Sequence, residues 1–145
     1  MIVVDTSAIV AITFKEDGFE AYVEAMLLAE RVVASPVSLL EAGMALASRF
    51  NLPDPELFDQ WLADFRVESA QESHWQEALS AFLKFGKGRH PARLNLADCF
   101  AYGLARRLDA PLLFKGEAFP RTDIRPALWP RRLNRQTRPP VSNGR

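Results

Sequence analysis

At 145 residues, with 48% apolar and 25% charged side chains, the chain is long enough for one domain with a real core and too apolar to be a disordered polymer. Its 18 Lys/Arg and 18 Asp/Glu cancel, yet residues 1–83 hold four basic and fourteen acidic side chains, residues 84–123 eight and four, and residues 124–145 six and none, so an anionic partner is expected for the C-terminal half. The single cysteine, Cys99, excludes an internal disulfide and a Cys-rich zinc site, no apolar run is long enough to span a membrane, and the first residues lack a basic leader, so a cytoplasmic protein without signal peptide is expected.

Met1–Val4 is a continuous, largely β-branched apolar run that stops at Asp5-Thr6-Ser7, after which Ala8, Ile9, Val10, Ile12 and Phe14 follow helical spacing. A second helix is predicted over Phe19–Glu30, with Tyr22, Val23, Met26 and Leu27 on its buried side, then a short strand Arg31–Ala34. Pro36 suits a helix start because its missing N–H would have been unpaired there, so a third helix is predicted from about Pro36 to Phe50. Asn51–Pro55 reads as a loop, and Leu57, Phe58, Trp61, Leu62 and Phe65 mark a fourth helix. Val67–Ser69 is a candidate third strand, and Glu72–Phe85 a helix with Trp75, Ala78, Leu79, Phe82 and Leu83 on its apolar side.

Gly86-Lys87-Gly88-Arg89-His90-Pro91 then reads as a mobile basic loop. Leu94, Leu96, Phe100, Ala101, Leu104 and Leu108 define one face of a further helix, closed by Arg106 and Arg107, with Asp98 in its first turn. Leu112–Phe114 is a buried strand, 116–123 a connector, and a Pro- and Arg-rich tail from Arg125 need not pack. Short strands alternating with helices imply a three-layer α/β domain with a parallel sheet covered on both faces, and ligands in such sheets bind outside the carboxyl ends of the strands.

Three acids stand at that edge: Asp5 after the first strand, Glu41 in the helix after the second, and Asp98 at the start of the helix that leads into the last. Each has a local explanation as a helix cap, Asp5 alone, Glu41 in a Ser38-x-x-Glu41 box and Asp98 in an Asn95-x-x-Asp98 box. Together they repel, and carboxylates held close either take up protons or bind a cation. Oxygen donors without thiolate or paired histidine suit Mg²⁺ or Mn²⁺, which lower the pKa of bound water and neutralise charge on a phosphodiester. Lys84, Lys87, Arg89, His90 and Arg93 before Asp98, and Arg106, Arg107, Lys115 and Arg121 after it, supply the cations that phosphate-backbone binding requires, although a solvated basic turn explains the loop as well. No P-loop or dinucleotide fingerprint is present.

The segments MIVVDTSAIVAI, ASPVSLLEAGMAL and GKGRHPARLNLADCFAYGLA with PLLFKG resemble a PIN-domain ribonuclease, more narrowly a VapC-type toxin, over roughly residues 1–127. The resemblance implies a PIN-like α/β/α fold with four to five parallel strands over residues 1–127 and a basic tail over 128–145. It also implies a metal-dependent endoribonuclease for structured RNA of the tRNA or rRNA class, a homodimer, and neutralisation by a cognate VapB-type antitoxin. Asp5, Glu41 and Asp98 match three of the family's metal-binding acids, while Lys87, Arg89, His90, Arg93 and Lys115 become RNA-binding candidates. The family's further acid is replaced by Ala118, with Glu117 and Asp123 the acids that could compensate and Thr6 and Ser7 candidates to orient Asp5.

The substitution at Ala118 keeps a second reading open, a weakened nuclease that still grips RNA or antitoxin. A third, a phosphatase with Asp5 as nucleophile, is disfavoured because Ser7 stands where its second acid belongs. Phe14, Phe19, Tyr22, Trp61, Phe65, Trp75 and Phe82 are assigned to the core or to dimer and antitoxin surfaces rather than to base stacking.

Overall fold

In a computed structural model that describes residues 1–50 and 54–128, four strands form one parallel sheet in the order β3-β2-β1-β4. The strands are β1 (Ile2–Val4), β2 (Val32–Ala34), β3 (Val67–Ser69) and β4 (Leu112–Leu113). The helices are α1 (Thr6–Thr13), α2 (Phe19–Leu28), α3 (Pro36–Phe50), α4 (Pro55–Asp64), α5 (Trp75–Phe85) and α6 (Leu96–Arg107). Val3 pairs with Val33 on one side and with Leu112 on the other. The loop predicted over Asn51–Pro55 lies partly, and the tail over 128–145 almost wholly, outside the described residues.

The apolar strands are continuous rather than alternating because both faces are covered. Ile2, Val4, Val32, Ala34 and Leu113 pack with Ala8, Ile9, Ile12, Met26 and Ala42, on the side of α1–α4. Val3, Val33 and Leu112 point the other way, into Ala78, Ala81, Phe85, Ala101, Leu104 and Ala105 of α5 and α6. The three-layer architecture follows directly from this two-sided burial.

Some expectations are corrected. Leu96 is 71% exposed, because α6 begins at Leu96 and turns Ala97, Ala101, Leu104 and Ala105 inward, while Leu94 is buried ahead of the helix. On α2 only Met26 is fully buried, and Leu27 is exposed. The chain from Arg125 does pack. The Leu112 amide donates to Arg125 O at 2.9 Å and the Ala127 amide to Leu112 O at 2.8 Å, covering the outer edge of β4. That bridge is parallel, and it blunts an edge that would otherwise present unpaired main-chain groups.

Candidate functional site

The site is assembled at the carboxyl edge of the sheet. Asp5 continues β1, its amide donating to Leu113 O at 2.9 Å, and then caps α1. Its Oδ2 accepts from the Ser7 amide at 2.9 Å and from Ser7 Oγ at 2.6 Å. Ser7 Oγ in turn accepts from the Lys115 amide at 2.9 Å, so one hydroxyl ties the carboxylate to the end of β4. Thr6 faces elsewhere: its Oγ1 donates to Ser38 O at 3.0 Å and locks the start of α1 to the first turn of α3.

The other oxygen, Asp5 Oδ1, is buried without a partner in a residue only 2% exposed. Burial pushes the Asp5 carboxyl from 3.8 to about 6, the Ser7 bonds oppose the shift, and the charges of Asp98 and Glu41 add to it. Burial likewise raises the Asp98 carboxyl, with the Asn95 amide opposing and Glu41 adding. The charges of Asp98 and Glu41 acting on Asp5, and of Glu41 acting on Asp98, place the three carboxylates in one electrostatic neighbourhood. Among the described residues, however, no three His, Cys, Asp or Glu side chains stand close enough to cage an ion as they are placed.

The cap explanations divide. Asp98 does close a box on α6: its amide donates to Asn95 Oδ1 at 2.9 Å, and its Oδ2 accepts from the Asn95 amide at 3.0 Å. That bond occupies one oxygen, so capping and a second role are compatible. The Ser38-x-x-Glu41 box is absent, because Ser35 Oγ takes the Val37 amide at 3.1 Å and Ser38 lies inside the helix with a buried, unpartnered hydroxyl. Glu41 is left exposed on α3 and free of a capping duty.

Neither candidate substitute for the missing acid is among the charges acting on Asp5 or Asp98. Glu117 is exposed. Asp123 accepts a short hydrogen bond from Tyr102 and pairs with Lys84 Nζ at 3.2 Å, and the Tyr102 bond, foremost, holds its carboxyl below the ordinary value. This clamp of Tyr102 was hidden in the sequence as one more aromatic on an apolar helix. Ala118 packs against the core cluster of α5 and α6. Lys115 Nζ pairs with Glu16 at 3.0 Å. A hollow of about 560 Å³ between β3 and the end of α6, lined by Arg31, Glu68, His74 and Arg107, lies away from the acids.

The donor set fits a hard divalent cation. Asp5 offers a desolvated oxygen with no partner, Asp98 a second carboxylate oxygen outside its cap, and Glu41 an uncommitted carboxylate, all without sulfur or nitrogen ligands. Burial only partly offset by the Ser7 bonds has a consequence for stability. A carboxyl raised from 3.8 to about 6 on folding adds nothing adverse below pH 4, and destabilises progressively as pH rises through 6. Two pKa units correspond to about 3 kcal/mol. Metal-free protein in EDTA is therefore expected to gain up to about 3 kcal/mol from this group between pH 7 and pH 4. Urea titrations of wild type and Asp5→Asn across that range should show the contribution only in wild type. A pH-independent difference between the two would refute the buried-charge account.

The PIN domain family model matches residues 2–125. Ribonuclease VapC30 of Mycobacterium tuberculosis is 41% identical over 125 residues, covering 84% of this chain and 95% of that protein. Ribonuclease VapC of Mycolicibacterium smegmatis is 40% identical over 124 residues, covering 84% and 96%. Among solved structures, Mycobacterium tuberculosis VapC20, described as a Sarcin-Ricin loop cleaving toxin, superposes with a TM-score of 0.60 at 15% identity, over 87% of this chain and 100% of that one.

Proposed function

Since the chain belongs to the PIN domain family and, within it, to the VapC-type ribonuclease toxins, we propose that it is a divalent-metal-dependent endoribonuclease whose centre is Asp5, Glu41 and Asp98. The observation that carries this reading is the buried Asp5 Oδ1, which has no protein partner while two further carboxylates press on it. Asp5, Asp98 and Glu41 would hold Mg²⁺ or Mn²⁺. When bound, such an ion supplies a water of lowered pKa and charge neutralisation at the scissile phosphate.

The protein's own part is positioning. Ser7 fixes the Asp5 carboxylate through Oδ2 and aims Oδ1 away from the helix cap. Asn95 holds Asp98 by its Oδ2 at the mouth of α6. The cations of residues 87–93 lie immediately before that mouth in the chain and serve the phosphate backbone. With Ala118 in place of a further acid, the centre is built around one ion. The same substitution supports a second reading, a weakened nuclease that binds RNA or antitoxin without turnover.

Structured RNA of the tRNA or rRNA class is the proposed substrate, in line with the Sarcin-Ricin loop named for the structural neighbour. The proposed partners are a VapB-type antitoxin and a second copy of the chain. The exposed apolar side chains Trp75, Leu79, Leu83 and Leu96 on α5 and α6, and Leu40, Met44 and Leu57 on α3 and α4, offer them surface. No described helix is long and apolar enough to cross a membrane, and the proposed setting is the cytoplasm.

Antitoxin-free protein incubated with total cellular RNA is expected to produce discrete cleavage ends with Mg²⁺ or Mn²⁺ and none with EDTA. Cleavage undiminished by EDTA would overturn the metal assignment, and salt-sensitive binding without cleavage under either ion would favour the second reading.

A further inference from the structure

The segment from Gly86 to Leu94, expected to be mobile, is a closed loop. The Lys87 amide donates to Leu94 O and the Leu94 amide to Phe85 O, both at 3.0 Å, pinching the loop at its base. Inside it, the Arg89 and His90 amides donate to Gly86 O at 3.0 and 3.1 Å, and the Arg93 amide donates to His90 O at 3.0 Å. The remaining turn is closed by a side chain: the Ala92 amide donates to His90 Nδ1 at 3.0 Å. A base this tight needs Gly86, where a Cβ would lie 2.4 Å from Phe82 O.

An accepting Nδ1 places the proton of the neutral imidazole on Nε2. His90 is seated edge-on against Phe85 at 5.0 Å between ring centroids, so its orientation is set by the core as well as by the loop. Around it, Lys87, Gly88, Arg89, Pro91 and Arg93 line an open hollow of about 510 Å³. None of the ion pairs among the described residues involves Lys87, Arg89 or Arg93. The Arg89 guanidinium rests over the Phe82 ring at 5.5 Å. Three charges are thus held without an internal counter-ion on a backbone whose Lys87, Arg89, His90, Ala92 and Arg93 amides are already committed. Two residues past Arg93 the chain reaches Asn95, whose amide is bonded to the Asp98 carboxylate.

We propose that this loop is a preformed seat for a phosphodiester of the RNA strand, with Lys87, Arg89 and Arg93 as the contacting groups and His90 as the positioning residue that keeps the loop closed. The proposal rests on the reading of the chain as a nuclease and adds that the grip of residues 87–93 is preformed and held closed by His90. Pre-closing the loop means that binding RNA does not have to order it, and the link through Asn95 sets the seat in register with Asp98.

The test is RNA affinity, measured by fluorescence anisotropy against salt in the full chain carrying Asp98→Asn to block turnover. Removing Lys87, Arg89 and Arg93 together is expected to weaken binding at least about tenfold and to flatten the log–log salt dependence by about 2, at roughly 0.7 per single-strand phosphate contact. His90→Ala, with all three cations intact, is expected to weaken binding several-fold. His90→Asn, whose Oδ1 can accept the Ala92 amide, is expected to restore it, with melting temperatures matched across the pair. An unchanged salt slope in the triple variant would overturn the seat. Equal affinities of the Ala and Asn variants would overturn the role of His90. If the triple variant keeps its RNA affinity but loses binding of polyglutamate, the loop serves an acidic protein segment and the proposal falls. Failure of wild type to cleave any RNA with metal would instead strike at the nuclease reading, leaving these affinities to judge the seat alone.

Discussion

Asp98→Asn is expected to lower metal-dependent RNA cleavage by about three orders of magnitude, roughly 4 kcal/mol of transition-state stabilisation, while the protein melts close to wild type. The two effects separate because the cap uses one Asp98 oxygen and leaves the other to the proposed metal. Asp98 Oδ2 accepts the Asn95 amide, and an asparagine oxygen can do the same. What asparagine lacks is the negative charge that, with Asp5 and Glu41, forms the candidate metal centre. It also relieves part of the repulsion that raises Asp5, which favours the fold slightly. Asp98→Ala, by contrast, loses the box as well, at about 1 kcal/mol. Single-turnover cleavage beside thermal melting distinguishes the cases. Cleavage by Asp98→Asn at the wild-type rate would mean that the residue is a cap and nothing more.

Gly103→Leu is expected to cost about 3 kcal/mol or more, enough to lower the melting temperature by about 10 °C, because it forces α6 off α5. A Cβ built at Gly103 lies 2.8 Å from the Ala78 nitrogen and 3.0 Å from the Glu77 carbonyl carbon, so the obstacle is main chain and cannot rotate away. The helix-propensity gain from replacing glycine, about 1 kcal/mol for alanine, is too small to offset it. Gly43→Ala provides the contrast: its Cβ meets only the edge of the Phe58 ring at 3.3 Å, a side chain that can shift. That variant should stay within about 1 kcal/mol of wild type. If Gly103→Leu melted like wild type, the close approach of α5 and α6 would be wrong. The approach matters for function because α5 and α6 frame both ends of the basic loop and carry Asp98.

Much of the candidate site was legible in residue order. Asp5 following a β-branched run, and Asp98 three residues after Asn95, are local signals, and local signals survive in sequence. The capping box at Asn95 formed as its spacing predicted. The equivalent box at Ser38 did not, because α3 already starts at Pro36 behind Ser35, which takes the Val37 amide, and Ser38 is left inside the helix where it cannot cap. A spacing rule identifies candidates for a cap but not which of two nearby hydroxyls stands outside the helix. The closure of the basic loop was hidden for a related reason: glycine and proline announce a turn, while the closure comes from one imidazole nitrogen and from pairing between Gly86 and Leu94.

By itself, the sequence determined the layers and the edge on which chemistry would sit. Unbroken apolar strands must be covered on both faces, and strands joined through helices run parallel, so acids at strand ends meet at one rim. Only the tertiary structure decided what those acids do there. Ser7 spans 108 positions to reach the Lys115 amide and thereby commits Asp5 Oδ2, leaving Oδ1 buried and alone. Tyr102 and Lys84 draw Asp123 away from the centre, and residues 125–127 close the outer edge of β4. Each outcome rests on a bond between groups distant in the chain, and neither periodicity nor spacing records it.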